Sequence, residues 1–329
     1  MMYKFKSIFA SEIENFLKLR ETTHSKSSCA HDKGVFENFD SYLFRMEFQK
    51  KELTESILVG WIASLKGKSS TVANKVIVVR LFAEYLHCYG IPAFFPVIPK
   101  VHADYVPYLF SDSEITAIFK AADSLEIRVR EEKYRNMNLL MPMVLRIMFG
   151  CGTRIGETLA ILMRDVNFED GILILRKTKR NKERIVPMHP NLTRILHNYC
   201  LAMGIVGVPE RYLFGVAGEN IPLSTQQAQH CFEKILHRAQ IDFSARQWHE
   251  RGPCLHCLRH VFAFKSFAQI EQNGRRIDDA VPYLSIYLGH DNLNETQKYL
   301  KFSAELYPDA LAKFEKYSDG IFPEVSYEE

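Results

Sequence analysis

Residues 137–188 read MNLLMPMVLRIMFGCGTRIGETLAILMRDVNFEDGILILRKTKRNKERIVPM, and changes of pattern within them set the class of fold. Residues 137–149 are apolar on nearly every side, which predicts a helix buried all round. The run Gly150-Cys151-Gly152 interrupts it, and Thr153 reads as the cap of a further helix running to Leu162. The period then changes. Residues 172–175 and 184–188 are short strand-like runs flanking a polar turn, a hairpin pattern. A buried helix, a glycine break, a capped helix and a small hairpin predict a mainly α domain with a minor β component.

Upstream, residues 5–90 read as helices only. Apolar residues recur near helical spacing over 5–19, 35–48, 57–65 and 72–86, with Ser69-Ser70-Thr71 as a cap and Gly90 as a stop. Residues 91–108 then hold Pro92, Pro96, Pro99 and Pro107 among aromatics, too many prolines for a helix. That stretch divides the chain into a helical unit, 1–104, and a mixed unit, 105–329. Downstream, Ser111 to Glu114 form an N-cap signature. Helical patterns follow near 191–203, 225–239, 256–270, 278–288 and 294–300, then an amphipathic tail over 304–317.

The chain has 329 residues and a net charge of +3, with 47% hydrophobic and 25% charged residues. This composition belongs to a protein with a real core and excludes disordered and fibrous classes. No apolar run approaches the ~18–20 residues that span a bilayer. The first residues carry acids by Glu12 and lack a signal-peptide core, so the reading is cytoplasmic, with no membrane partner. Seven scattered cysteines do not make a disulfide scaffold. Global charge decides nothing about partners, so local clusters carry the argument.

Four clusters stand out. In Gly152-Thr153-Arg154-Ile155-Gly156-Glu157, a guanidinium sits at the end of a rigid buried element, where its bidentate fork suits a phosphate. Glu157 is placed to orient it. The turn from Arg176 to Arg184 has six basic residues and one acid, and fits a finger entering a DNA groove; a lysine there could also deliver a proton. The segment Pro253-Cys254-Leu255-His256-Cys257-Leu258-Arg259-His260 supports two readings. Its Cys-x-x-Cys is half of a zinc site, but no second ligand pair occurs elsewhere in the chain. Alternatively His256 and Arg259, at i and i+3, offer an imidazole and a guanidinium to one phosphate. Last, LGHDNLNETQKY separates His290 from Tyr299 by nine residues.

Taken in order, the four segments resemble the tyrosine recombinase (phage integrase) family over nearly the whole chain. The resemblance implies a fold of a helical core-binding domain over 1–104 and a mixed α+β catalytic domain over 105–329. It implies Arg154 and Arg259 as phosphate-clamping residues, Tyr299 as nucleophile, and His256 and His290 at the imidazole positions, with His256 the candidate base. Lys179 is the lysine that protonates the leaving 5′ oxygen, with Lys177 the alternative. Lys177, Arg180, Lys182 and Arg184 of the turn, and Lys75 and Arg80 of the helical unit, are expected on DNA.

Chemically, two arginines neutralise the non-bridging oxygens while the phenol attacks, and a 3′-phosphotyrosine conserves the bond energy. No cofactor and no metal is expected. The implied partners are a specific double-stranded DNA site, copies of the chain in a tetrameric synapse, and accessory directionality proteins, with the enzyme near the nucleoid. A mobile-element recombinase is the preferred role, Xer-type dimer resolution and type IB topoisomerase-like relaxation the alternatives. The stretch between Arg259 and His290 is longer than is usual in the family, with an extra polar insert around Gln272 to Asp279, which leaves open how the chain runs from the box to His290.

Overall fold

A computed structural model describes residues 3–101, 107–125, 134–176, 182–241, 252–297 and 299. It divides into two compact units, Met1–Tyr105 and Val106–Glu329.

The first unit contains α1 (Ala10–Thr23), α2 (Lys26–Arg45), α3 (Glu55–Ser64) and α4 (Ser69–Cys88). Their apolar faces meet around Phe9, Phe16, Phe36, Phe39, Trp61 and Phe82. The rings pack edge-on, as the aromatic quadrupole favours: Phe16 and Phe36 at 5.6 Å, Phe36 and Phe82 at 5.1 Å, Phe39 and Trp61 at 5.0 Å. The Trp61 indole, buried for its area, keeps its N–H satisfied by donating to Asn38 Oδ1.

The expected first helix, from residue 5, is corrected at its start. Phe5 and Phe9 are buried as their spacing suggests, yet α1 begins only at Ala10. The buried Asp40 carboxylate accepts from the backbone N–H of Lys6 and of Ser7, and from the Tyr3 hydroxyl. Those bonds fix the first residues as a strap across α2. After α4, the proline stretch is extended as expected, pairing Leu53 with residues 92–94.

The second unit opens with α5 (Asp112–Asp123), capped as the sequence suggests: the Ser111 hydroxyl accepts from the Glu114 N–H while the Glu114 carboxylate accepts from the Ser111 N–H. The central α6 (Met137–Cys151) is buried along most of its length and crosses α10 (Leu255–Gln272) as the main helix contact of this unit. Next comes α7 (Ile155–Leu159), shorter than expected, because the chain passes into a 3-10 turn at Met163–Asp165.

The hairpin is part of a three-stranded antiparallel sheet ordered β1 (Val166–Asn167), β2 (Ile172–Leu175) and β3 (Arg184–Pro187). Leu173 faces Val186 across the ladder, and both are fully buried. The two-residue β1 is too short to show a periodicity, so the sequence pattern misses it. Further helices are α8 (Pro190–Ala202), α9 (Thr225–Arg238) and α11 (Ile277–Leu288). The supposed insert resolves into ordinary structure: α10 runs to Gln272, residues 273–276 turn, and α11 leads directly to His290. The expected fold class, mainly helical with a small sheet, is what the chain adopts.

Candidate active site

Two helix ends build the floor of the site. At the end of α6 the chain reverses through Gly152, at φ 59°, and at the end of α11 through Gly289, at φ 65°. Both positions need glycine: a Cβ on Gly152 would strike the Phe262 ring, and one on Gly289 would lie 2.7 Å from Arg184 Nη1. The carbonyls left at these ends hold the arginines. Arg259, from α10, donates to the Gly152 carbonyl at 2.6 Å and to the Leu288 carbonyl at 2.8 Å. Arg154, the N-cap of α7, donates to the Gly289 carbonyl at 2.9 Å. Helix C-termini carry partial negative charge, so they anchor a cation without cancelling it.

Glu157 links a second pair of cations. Its buried carboxylate accepts from Arg154 Nη1 at 2.8 Å and from the Arg154 N–H at 2.9 Å. It also receives both Arg184 terminal nitrogens, at 3.0 and 2.7 Å. Burial alone would raise the Glu157 pKa, but Arg184 and Arg154 override it and hold the carboxyl at about 2. Arg184 was expected to face DNA; instead its side chain is turned inward onto this acid and is nearly buried. The reason is local. It is the first residue of β3, and pairing opposite Leu175 brings it over α7 rather than into the turn.

Arg259 is 1% exposed. Burial, and then the charge of Arg154, lower its pKa to about 10, so it stays protonated at neutral pH. Arg154 and Arg184 thus share the Glu157 carboxylate while Arg259 is held by carbonyls, an excess of positive charge suited to an anion.

Tyr299 closes the site. Its ring is buried against Phe264 and lies parallel to the His290 ring, with centroids 6.2 Å apart. Its hydroxyl is 3.0 Å from His260 Nδ1. Burial raises the Tyr299 pKa, while the Arg259 guanidinium beside it works in the opposite direction. His290 is fixed through Nδ1 to the Thr296 hydroxyl at 2.6 Å. Both imidazoles are neutral at physiological pH. Burial first, then neighbouring cationic groups, push His260 and His290 down to about 3.

The structure therefore brings Arg154, Arg259, His290 and Tyr299 into one cluster. His256 stands at its edge, exposed, with its ring 4.6 Å from that of His260 and perpendicular to it. The imidazole touching the phenol is His260, which the sequence analysis gave no role. Its signal was present as the second histidine of HCLRH, one residue beyond Arg259. Lys177, Lys179 and Arg180, and the tail over 304–317, lie outside the described residues.

Lys182 approaches Asp291 at 3.8 Å. In the first unit, Arg80 donates to the Pro96 carbonyl, lies over the Phe95 ring and pairs with Glu84; Lys75 is half-buried on α4. Among the described residues, no group of three or more His, Cys, Asp or Glu side chains could hold a metal ion. No helix of the described residues is long and apolar enough to cross a membrane.

A mainly helical unit with a small sheet thus gathers arginines, histidines and a tyrosine into one cluster, side chains of the kind that phosphoryl transfer uses. Residues 109–305 match the profile of the phage integrase family, and the chain belongs to that family, the tyrosine recombinases, which cleave and rejoin DNA. It is 25% identical over 325 residues to a protein designated integrase/recombinase y4rE of Sinorhizobium fredii, covering 97% of this chain and 99% of that one. It is also 25% identical over 295 residues to the tyrosine recombinase XerC of Listeria innocua, covering 86% and 88%. In fold it is similar to the XerH site-specific recombinase bound to palindromic difH substrate, with TM-score 0.68, 17% identity, and coverage of 93% and 84%. The Tn1549 transposon integrase in complex with transposon right-end DNA gives TM-score 0.63 at 13% identity, covering 88% and 93%.

Proposed function

We propose that this chain is a site-specific DNA recombinase of the integrase type, working on a mobile element through a covalent 3′-phosphotyrosine. The observation that carries this reading is the Tyr299 hydroxyl buried within 3.0 Å of an imidazole nitrogen, in the same cluster as Arg259 and Arg154.

In this reading Arg259 and Arg154 grip the non-bridging oxygens of the scissile phosphate and stabilise charge as it builds. The phenol, which burial holds above the ordinary pKa of ~10, attacks phosphorus, and its proton passes to the imidazole pair His260 and His256, the first in contact and the second solvent-facing. His290 adds a hydrogen bond to the transition state. Lys179, or Lys177, protonates the departing 5′ oxygen. The 5′ hydroxyl of another strand then reverses the step and releases Tyr299. The helical unit, with Lys75 and Arg80, holds the flanking DNA. Four copies assemble at the synapse, in the cytoplasm and at the nucleoid, and accessory proteins set direction.

The test uses purified protein and nicked suicide duplexes carrying the DNA that flanks its gene. A covalent protein–DNA adduct should form, and Tyr299→Phe should bind the same DNA without forming it. Adducts persisting in Tyr299→Phe overturn the assignment. Relaxation of plasmid lacking that flanking DNA would favour the topoisomerase reading instead.

A further inference from the structure

Cys254 and Cys257 have no part in the strand-transfer chemistry, yet they stand at the start of the helix that supplies His256, Arg259 and His260. Cys254 is the N-cap of α10 and Cys257 lies one turn on, with sulfur atoms 3.6 Å apart. The Cys254 N–H donates to Cys257 Sγ at 3.4 Å, and the Cys257 N–H donates to the Cys254 carbonyl at 2.9 Å. Cys254 is half-buried and Cys257 fully buried. A zinc reading fails on the donor set, since among the described residues no third ligand joins the two sulfurs.

We propose that Cys254 and Cys257 are a thiol pair that closes to a disulfide and switches strand cleavage off. The bond needs the sulfurs to approach from 3.6 Å to about 2.05 Å, and Cys254 has the reach because it is the extended N-cap residue, outside the helix proper, with its side chain turned onto the first turn. The partner chemistry is a low-molecular-weight disulfide. The Cys254 thiolate, at the accessible end, attacks one sulfur of that disulfide and releases one small thiol. The Cys257 thiolate then attacks the Cys254 sulfur and releases the second. Two protein thiols are oxidised, one small disulfide is reduced to two thiols, and the protein protons leave with them.

The consequence follows from what the first turn carries. His256 lies between the two sulfurs in sequence, and Arg259 is two residues past the second. Arg259 is gripped at both ends by the Gly152 and Leu288 carbonyls, so the turn cannot tighten without pulling against those bonds. Misplacement on the order of 1 Å in such a site costs roughly a hundredfold in rate. Cys257 is also hard to ionise, because the bond from Cys254 and its burial push its thiol up, which slows its attack on the mixed disulfide. The functional half of the proposal rests on the recombinase reading; the sulfur chemistry does not.

The test treats the full-length protein with a graded ratio of oxidised to reduced glutathione, followed by alkylation and peptide mapping. The expected result is a Cys254–Cys257 disulfide with a loss of about two mass units. Covalent adduct formation on a suicide duplex should fall by at least roughly tenfold, return with dithiothreitol, and be insensitive to oxidant in Cys254→Ser. Cys257→Ala serves as a second insensitive variant should Cys254→Ser fold poorly. Absence of the disulfide at any ratio overturns the proposal, as does a mapped disulfide with adduct formation unchanged. Reduced protein that forms no adduct on its cognate DNA sinks the recombinase reading, and the switch falls with it while the mapped disulfide stands.

Discussion

The Tyr299 hydroxyl and His260 Nδ1 lie 3.0 Å apart inside a site where His256 stays exposed. The imidazole in contact with the phenol is therefore that of the histidine after Arg259, not that of the His-x-x-Arg pair. His260 Nε2 is buried with no hydrogen-bond partner among the described residues, so packing against the His256 and Tyr299 rings and the contact with the phenol hold the ring. His260→Ala should lower the rate of adduct formation by about a hundredfold or more while leaving the affinity for uncleaved DNA unchanged. Single-turnover cleavage beside a gel-shift assay checks it; unchanged cleavage would return the role to His256.

Acid should weaken the fold. His260 and His290 titrate near 3 when folded, below the ordinary 6.5. Between those values the unfolded chain binds protons that the folded chain does not. Glu157, at about 2 when folded against 4.5, acts in the same direction at lower pH. The stability these groups contribute is full above pH ~6.5 and declines as pH falls, by up to ~1.4 kcal/mol per pH unit for each group. Urea midpoints measured between pH 7.5 and 5 should decline, and His260→Gln should flatten the slope.

Removing Glu157 should cost more than removing an ordinary surface acid. Glu157→Ala leaves the nearly buried Arg184 without its partner, and breaking such a pair costs about 3–5 kcal/mol. The double variant Glu157→Ala with Arg184→Met should recover much of that loss, since no buried charge is then stranded. Equilibrium unfolding of the two single variants and the double variant measures the coupling.

Gly289→Ala tests the turn into His290. The left-handed backbone costs roughly 1–2 kcal/mol for a residue with a Cβ, and that Cβ would also meet Arg184 Nη1 at 2.7 Å. Expected are a lower unfolding midpoint and slower cleavage, because Arg184 cannot retreat without releasing Glu157.

The leaving-group proton separates the two lysines. Lys179→Ala should slow cleavage, and a substrate whose 5′ leaving group needs no proton should restore it. The same rescue in Lys177→Ala would move the assignment to that residue.

Much of this architecture was legible because burial imposes periodicity. The all-round apolar run 137–149 could only be an interior helix, and the Ser111–Glu114 cap sits where its chemistry requires. What failed to show was tertiary in origin. Phe5 and Phe9 follow helical spacing, but Asp40, more than thirty residues away, claims the backbone donors beside them. Arg184 belongs to a basic run that reads as a DNA-facing finger, and only strand pairing turns it inward. His260 was passed over because its neighbour Arg259 already explained the motif, and only coordinates say which ring nitrogen reaches the phenol.

The anchoring of Arg259 by two carbonyl groups, with no acid in contact among the described residues, has a cost for the free enzyme. Like charges are packed together before any substrate arrives, and their mutual repulsion is released only when a phosphodiester settles among them. Substrate capture and relief of internal tension are then one event, and the protein should melt at a higher temperature in the presence of cognate DNA.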